Sequence, residues 1–517
     1  MSFHKEISNV LSYISANGYQ IHPEAFNKLK IIDSKKIMKI VQDVIKYKKS
    51  QKDNSLILLQ DVEFISGEKT VIEIKKEDMK YEIKDNKKKI ISSNSDITKP
   101  EIQNYYKILF DANDNIDTLD GINGYTSLFK SRFEKSLKIL ALRPESKRIN
   151  KISNIKQKNR INSSSKIDTN NTFIIAGLLM SRRLRKNSLE LILDDHTGLI
   201  ETLAVTEESI NVASKLSLDQ MVMLEIEQKN VNFIIKRIIT PDIPDHISNK
   251  SKNEVFVLLF SDLHVGSKYF QEKEFRRFLN WINSSNNEIV NKIKFICIAG
   301  DLIDGVGIFP NQDKELSDIN VNKQMEHVID LISKIPDHIQ IFIIPGNHDL
   351  GRRSLPQPAI PFEKSKKLYS LKNITMLGNP SFIELNGVKI LLFHGQSLDD
   401  IIATVPGLSY SNPAEAMKML LKARHLSPIY GQRTPVSPEM EDIMVISDVP
   451  DIFHSGHIHV IDVQNYKGTL IVNSGAWQNQ TPFQQTMGIT PTPGIAILVN
   501  LSNLKPYKID FNQEILP

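Results

Sequence analysis

Residues of the types that bind metal ions follow five successive apolar runs in the second half of the chain. They stand in the stretches "SDLH", "GDLIDG", "GNHD", "HG" and "HSGHIH". The candidates are Asp262, His264, Asp301, Asp304, Asn347, His348, Asp349, His394, His457 and His459. In open α/β sheets ligands bind at the carboxyl ends of the strands, so these side chains should meet at one edge. One such stretch is common by chance, but five in one domain predict a functional site.

The number and type of these donors predict a site for two divalent metal ions. One ion would be held by Asp262, His264 and Asp301 with one histidine of the last stretch. The other would be held by Asp301, Asn347 and His394 with a second histidine, so that Asp301 bridges the pair. Oxygen and nitrogen donors without thiolate suit Mn²⁺, Fe²⁺ or Zn²⁺ rather than Ca²⁺, and we expect Mn²⁺, with Mg²⁺ as a further alternative. Two ions about 3.5–4 Å apart can activate water and clamp a phosphoryl group.

Three of the chain's 13 histidines, His454, His457 and His459, lie within six positions. His457 and His459 are two residues apart, so in an extended segment both side chains would point to the same side. His454 is out of register with them. We expect it to pack beside the site without binding metal.

The apolar runs alternate with helical segments such as "EKEFRRFLNWIN" and "NKQMEHVIDLISKI". This alternation predicts a layered α/β domain over residues 249–517. A length of 517 residues suggests roughly three domains.

The first half of the chain divides into three further segments. Residues 1–50 have apolar residues at helical spacing and predict a small helical module. The Lys-, Asp- and Ser-rich residues 51–100 predict a linker with little fixed structure. Residues 101–248 contain alternating strands that predict a barrel of the OB type, which could bind single strands or dock a protein. The basic residues 145–170 would form a solvated loop or an arm that contacts phosphates.

The bulk composition is that of an ordinary globular protein. The net charge of +5 permits nucleic-acid binding without arguing for it. The single cysteine, Cys297, excludes an internal disulfide. No apolar run approaches the roughly 20 residues needed to span a membrane. We therefore expect a cytoplasmic protein.

The five stretches together resemble the calcineurin-like metallophosphoesterase signature D-x-H, G-D-x-x-D, G-N-H-D, H and G-H-x-H. The longer stretches "FHGQSLDDIIATVPGLSY", "LLKARHLSPIYGQRTPVSPE" and "VNSGAWQNQT" resemble the small subunit of archaeal family-D DNA polymerase over roughly residues 101–517. The resemblance is weak or absent over residues 1–100. It implies a multidomain α+β protein in which an OB-type barrel precedes a calcineurin-like sandwich.

The resemblance also implies an activity. In that family the small subunit is a proofreading 3′–5′ exonuclease bound to a large catalytic subunit, so DNA 3′ ends are the expected substrate. Carried over, His457 falls on the second ion and His459 on the first. We see no convincing sliding-clamp motif, so a clamp contact would come through the complex.

Several residues beside the ligands receive roles on the same basis. His348 would contact the phosphate or protonate the leaving 3′-oxygen. Asp304 would orient the imidazole of His348. Asp349 is the alternative residue for that role, unless it caps the loop structurally. Arg352 and Arg353 would hold DNA phosphates, or belong to a solvated surface.

Two other functions remain open from the sequence. A stand-alone phosphoesterase acting on small molecules would not need the barrel or the stretches that resemble the polymerase small subunit, such as "HGQSLDD" and "PIYGQRTP". A silent scaffold like the related eukaryotic B-subunits would have lost the metal ligands, which are complete in this chain.

Overall fold

The structure is a computed structural model that describes residues 105–162 and 172–513, together with parts of the first 57 residues. It consists of two compact units, Met1–Lys87 and Lys88–Pro517. None of the described helices has the length and hydropathy needed to cross a membrane.

Among the described residues of the first unit are a short parallel pair of strands and a long helix. The strands are β1 (Gln20–Ile21) and β2 (Leu56–Ile57), and the helix is α1 (Ser34–Ser50). Its buried residues recur at helical spacing, because Ile37, Val41, Val44 and Ile45 all face one small core. The expected helical character is thus present at Ser34–Ser50. The linker predicted over residues 51–100 lies outside the described residues except for β2.

The second unit begins with a strand that belongs to the C-terminal domain. Strand β3 (Tyr106–Asp111) pairs antiparallel with a strand near residue 383, with Tyr106 opposite Leu385. It is followed by a 3-10 turn and helix α2 (Gly121–Leu140). Residues 106–111 were predicted to belong with the barrel, and this is wrong. Alternation identifies a strand, but the partner strand lies more than 250 residues away.

The basic segment expected as a loop over residues 145–170 contains helical structure. A 3-10 turn spans Pro144–Arg148, and helix α3 spans Ile152–Asn162. Ile152 and Ile155, one turn apart, are buried in the barrel core. The backbone N–H of Ile152 donates to Asp195 Oδ2 at 2.8 Å. Two apolar residues within a basic run therefore anchor a helix where charge alone predicted a solvated loop.

The barrel is closed by five strands in the order of an OB fold. They follow one another as β4-β5-β6-β8-β7, with helix α4 (Glu207–Ser214) between β6 and β7. The strands are β4 (Thr172–Leu184), β5 (Leu189–Asp194), β6 (Leu199–Ala204), β7 (Met221–Lys229) and β8 (Asn232–Ile239). The predicted barrel is confirmed.

The C-terminal domain is a sandwich of two six-stranded sheets. The first sheet has the order β12-β11-β10-β9-β18-β19, and the second has the order β16-β17-β15-β14-β13-β3. The strands are β9 (Phe256–Phe260), β10 (Ile293–Ala299), β11 (Gln340–Ile344), β12 (Ile374–Met376), β13 (Ser381–Leu385), β14 (Val388–Leu392), β15 (Ile452–Ser455), β16 (Asp462–Tyr466), β17 (Thr469–Asn473), β18 (Ile495–Asn500) and β19 (Lys505–Asp510). The inner faces share one apolar core that includes Leu259, Cys297 and Val472.

Helices cover the outer faces of both sheets, which completes the predicted α/β layers. They are α5 (Glu272–Ile282), α6 (Glu288–Asn291), α7 (Val321–Ile332), α8 (Phe362–Ser370), α9 (Leu398–Thr404) and α10 (Pro413–Ala423). A short further helix, α11 (Pro482–Thr486), lies beside a cleft instead. Strands β9, β10 and β11 are mutually parallel, as are β14, β15 and β17. Their carboxyl ends therefore meet at one edge of the sandwich, as the sequence predicted.

A buried ion cluster joins α2 to the sandwich. Arg132 Nε lies 2.7 Å from Asp442 Oδ2, and His425 Nε2 lies 3.0 Å from the same oxygen. Arg132 also donates to the carbonyl of Pro428 at 2.5 Å. Burial alone would raise the pKa of Asp442, but His425 and Arg132 hold it below its ordinary value. An adjoining face of α2 packs on the barrel through residues such as Phe133.

We expect Arg132→Met to destabilise the second unit by about 3–5 kcal/mol, because it leaves a buried carboxylate without its cation. Denaturant unfolding of the full chain measures this change. Arg276→Met is the matched control. The Arg276–Glu272 pair is largely exposed, and its loss should matter far less. An unchanged unfolding midpoint for Arg132→Met would contradict the structural role of the cluster.

Candidate metal centre

The candidate residues meet in and beside an open cleft at the carboxyl edge of both sheets. The stretches after β9, β10 and β11 come from one sheet, and those after β14 and β15 come from the other. Residues from both sheets line the cleft, among them Asp301, His348 and His457. The sequence-predicted set is therefore assembled in one place.

One group of donors consists of Asp262, His264 and His459. The Nε2 atoms of His264 and His459 are 3.0 Å apart. Asp262 Oδ1 lies 3.3 Å from His459 Nε2 and 3.8 Å from His264 Nε2. All three side chains are buried. This is the group predicted for the first ion.

A second group consists of Asp301, His394 and His457, with Asn347 beside it. His394 Nε2 lies 3.4 Å from Asp301 Oδ2 and 3.0 Å from Asn347 Oδ1. His457 Nε2 lies 3.1 Å from Asp399 Oδ2, so a proton on Nε2 leaves the lone pair of Nδ1 for a cation. This is the group predicted for the second ion.

A single carboxylate oxygen of Asp301 lies between the two groups. Its Oδ2 atom is 3.7 Å from His264 Nε2 and 3.4 Å from His394 Nε2. Its Oδ1 atom accepts the backbone N–H of His348 at 2.9 Å. The carboxylate is therefore placed to bridge through one oxygen, while the other holds the next loop.

Five of these residues have a left-handed backbone, which non-glycine residues seldom adopt. The φ angles lie between 51° and 69° at Asp262, His264, Asp301, His457 and His459. The extended segment expected for His457 and His459 is therefore wrong: both follow the end of β15 in a loop and serve different groups. Such strain persists where surrounding contacts hold it, and it clusters at functional sites.

Two glycines allow these loops to approach one another closely. A Cβ atom on Gly346 would stand 2.1 Å from Asp301 Oδ1, and one on Gly456 would stand 2.4 Å from Asp262 Oδ2. The glycines in "PGNHD" and "HSGHIH" are thus required by contact with the carboxylates.

The buried donors fit a pair of cations on three counts. Asp262 Oδ1 is a buried carboxylate oxygen without a hydrogen-bond partner. His264 Nδ1 is hydrogen-bonded to Asp304 at 2.9 Å, and His394 Nδ1 donates to the carbonyl of Ala299 at 2.7 Å. Each imidazole therefore turns Nε2 towards the carboxylates, as metal-binding histidines do. His394 Nε2 and Asn347 Oδ1 also face each other, and a cation or proton between them would satisfy both.

The electrostatics of the cluster favour positive charge. Burial alone would raise the pKa of Asp262 and of Asp301. Neighbouring imidazoles nevertheless hold both pKa values below the ordinary range, with His459 as the main cause at Asp262 and His394 as the main cause at Asp301. Burial would lower the pKa of His394, but Asp301 raises it to about 9. The carboxylates thus draw protons onto neighbouring imidazoles, in the position where cations would bind.

The carboxylate of Asp304 makes a different contact from the expected one, whereas Asp349 takes one of its two expected roles. The Asp304 carboxylate orients His264, not His348; it is the backbone carbonyl of Asp304 that lies 2.8 Å from His348 Nδ1. Asp349 accepts the backbone N–H groups of Leu302 and Gly346, each at 2.9 Å. Asp349 therefore caps the loops, which was the structural alternative.

The two arginines expected to contact DNA have different environments in the structure. Arg352 donates to the carbonyl of Pro356 and lies 2.8 Å from the buried carboxylate of Glu439, so its guanidinium is committed to the fold. The local sequence does not disclose this partner, which lies 87 residues away in the chain, and the assignment of Arg352 to DNA stays a prediction. Arg353 is exposed and stays a candidate.

Sequence reasoning missed a third arginine, Arg433, which lines the cleft directly. Tyr410 lies beside Arg433 and Asp399, and Asp399 Oδ2 lies 3.1 Å from His457 Nε2. Both Asp399 and Arg433 lie in the family-specific stretches, "HGQSLDD" and "PIYGQRTP". That block was the signal that could have found them.

His454 packs in the core on β15. Its Nε2 atom lies 3.1 Å from Ser474 Oγ, and burial lowers its pKa to about 3. It belongs to none of the donor groups found among the described residues. The structure therefore places His454 beside the site, where it was expected.

Known proteins share much of this sequence. The model of a family described as the DNA polymerase alpha/epsilon B-subunit matches residues 257–459. The DNA polymerase II small subunit of Pyrococcus furiosus is 35% identical over 444 residues, covering 82% of this chain and 71% of that protein. The one from Thermoplasma acidophilum is 30% identical over 517 residues, covering 98% of this chain and 93% of that protein.

Among solved structures, one described as a novel archaeal phosphodiesterase is 14% identical and covers 49% of this chain and 99% of its own. Its TM-score of 0.25 is too low to support an inference. The polymerase relatives match most of this chain at 30% identity or more, and the predicted family resemblance is confirmed. The chain therefore belongs to the family of archaeal DNA polymerase II small subunits.

Proposed function

We propose that this chain is the metal-dependent 3′–5′ exonuclease subunit of a family-D DNA polymerase, and that it hydrolyses the 3′-terminal phosphodiester of DNA. The position of Asp301 Oδ2 between two histidine-containing donor groups carries the proposal. A paired site of this kind suits phosphoryl transfer, since two cations can stabilise the attacking and the leaving oxygen together.

The first ion is assigned to Asp262, His264, Asp301 and His459. The second is assigned to Asp301, Asn347, His394 and His457. Two divalent ions bound there would supply Lewis acidity towards the phosphate. Mixed oxygen and nitrogen donors without thiolate suit Mn²⁺, Fe²⁺ or Zn²⁺, of which we propose Mn²⁺, with Mg²⁺ as a further alternative.

His348 is the residue of this chain assigned to proton transfer. Its Nδ1 atom lies 2.8 Å from the carbonyl of Asp304, so Nδ1 carries a proton and Nε2 faces the cleft. A side chain held in this way keeps a fixed orientation. In its imidazolium form, with both nitrogens protonated, Nε2–H would contact a phosphate oxygen and give its proton to the leaving 3′-oxygen.

The expected partners follow from the family. A small subunit implies a large catalytic subunit, which would carry the polymerase site, and replication on the archaeal chromosome takes place in the cytoplasm. Within the cleft, Arg433 offers a cation for the DNA backbone. Single-stranded or mispaired 3′ ends are favoured because their entry requires little unpairing, and any contact with a sliding clamp would come through the complex.

We expect Asp301→Asn to lose both ions together, because Asp301 Oδ2 lies 3.7 Å from His264 Nε2 and 3.4 Å from His394 Nε2, one in each donor group. Asp262→Ala should mainly weaken the first ion. Elemental analysis of the purified full chain gives the metal stoichiometry. Asp313→Asn, which alters an exposed carboxylate, is the control and should retain both ions. Full occupancy in Asp301→Asn would contradict the bridging role.

Primers labelled at either end test the proposed reaction in the presence of Mn²⁺ or Mg²⁺. We expect stepwise loss from the 3′ end. His348→Ala should reduce cleavage by about 10²–10⁴-fold, as for a positioned acid–base group. Metal content and DNA affinity should stay near normal, since most affinity comes from phosphate contacts elsewhere. Degradation from the 5′ end would refute the exonuclease proposal, and lost metal would make His348 a ligand.

The arginines differ in their expected effects on DNA binding. Arg433→Ala should lower affinity for single-stranded DNA and reduce the slope of log affinity against log salt by about one. Arg352→Ala should leave that slope unchanged and lower the thermal stability, because Glu439 stays buried without its cation. Fluorescence anisotropy over a salt series and thermal melts distinguish the two. The opposite pattern would return Arg352 to the DNA interface.

A further inference from the structure

Two phenyl rings stand at the mouth of the metal cleft. Phe309 and Phe483 both line it, and their rings stack with centroids 5.2 Å apart and planes inclined by 23°. Phe483 is 49% exposed, and the neighbouring Met487 is 36% exposed. An apolar surface of this kind beside a strongly polar cluster needs a reason, because exposed rings contribute little to folding.

Each ring is carried by a segment that is tied to the candidate metal ligands. Gln312 donates to the carbonyl and carboxylate of Asp304 at 2.8 and 3.0 Å, and it accepts the N–H of Ile308 at 2.8 Å. These bonds fix the turn that bears Phe309.

Helix α11 is held in the same manner and bears Phe483. Thr481 and Gln484 form a reciprocal capping box at its start. The side chain of Gln484 also reaches His459, with its Nε2 atom 2.7 Å from Nδ1. The stacked rings therefore have a fixed position relative to the metal centre.

The position of Phe309 connects the ring pair to the reacting group. Its ring centroid is 6.5 Å from that of His348, whose Nε2 atom is assigned to the terminal phosphodiester. A nucleotide with its phosphate at the metal centre would bring its base to a surface only a few ångströms away. Every base has a flat π-face, and stacking on aromatic side chains does not depend on sequence.

We propose that Phe309 and Phe483 form a stacking platform for the unpaired base of the 3′-terminal nucleotide. This inference rests on the proposed exonuclease function and gives it a substrate preference. The platform engages a base only when its face is free, so a frayed or mispaired terminus is bound and a stacked, paired one is not. A phosphodiester without a base should be a poor substrate.

Cleavage of matched oligonucleotides tests the platform in the full chain. One single strand ends in a normal nucleotide and the other in an abasic tetrahydrofuran residue. Wild type should cleave the base-bearing end with a kcat/KM on the order of 10-fold higher. In Phe483→Ala that preference should disappear, mainly through a raised KM. Phe483→Trp should keep the preference, because it restores an aromatic face.

Binding provides a second measurement that does not require cleavage. A single strand with 2-aminopurine at its 3′ end, mixed with protein in EDTA, should lose fluorescence when the base stacks. Phe483→Ala should abolish this quenching. Phe362→Ala is the matched control, since Phe362 is 47% exposed on α8, does not line the cleft, and should leave quenching unchanged.

The outcomes separate the platform from the exonuclease proposal. Equal cleavage of abasic and normal ends by wild type, or a preference retained in Phe483→Ala, would overturn the platform alone. A retained preference together with weaker co-purification of the large subunit would assign the rings to a subunit interface. If wild type cleaves no DNA, the exonuclease proposal fails, and the fluorescence measurement still decides whether a base stacks on Phe483.

Discussion

The arrangement of the site depends on one shared carboxylate oxygen. Asp301 Oδ2 can face His264 and His394 together only if the loops after three parallel strands reach the same point as the loops of the facing sheet. That requirement brings the backbone of Gly346 against Asp301 Oδ1 and turns five residues into the left-handed region. The fold thus accepts local strain in order to concentrate ligands, a cost of order 1–3 kcal/mol at each strained residue.

Buried hydrogen bonds offset this strain and fix the side chains. Asp349 collects backbone N–H groups from two loops, while Asp304 holds His264 through its carboxylate and His348 through its carbonyl. Gln312 and Gln484 extend the same network outward to the segments that bear the two stacked phenyl rings. The geometry of the candidate metal site and the shape of the cleft mouth are therefore held by one hydrogen-bonded network, as a precisely positioned site requires.

Two arginines whose charge could have suggested nucleic-acid binding instead hold the molecule together. Arg132 joins α2 to the sandwich, and Arg182 donates from the barrel to the carbonyl of Thr404 at 2.6 Å. Both guanidinium groups are committed to internal acceptors. The barrel and the sandwich consequently share one unit, and the cation that faces the cleft, Arg433, comes from a loop of the sandwich itself.

The sequence by itself determined the α/β sandwich, the barrel and the residue types of the metal cluster, because apolar periodicity and short strand-end stretches are local signals. Only the tertiary structure decided which nitrogen of each histidine faces the carboxylates, that Asp304 supports His264, and that Arg352 pairs with Glu439. It also decided that β3 joins the distant sheet and that Ile152 anchors a helix on the barrel. Each of these depends on a partner far away in the chain, and the identity of such a partner leaves no periodic trace in the neighbouring sequence.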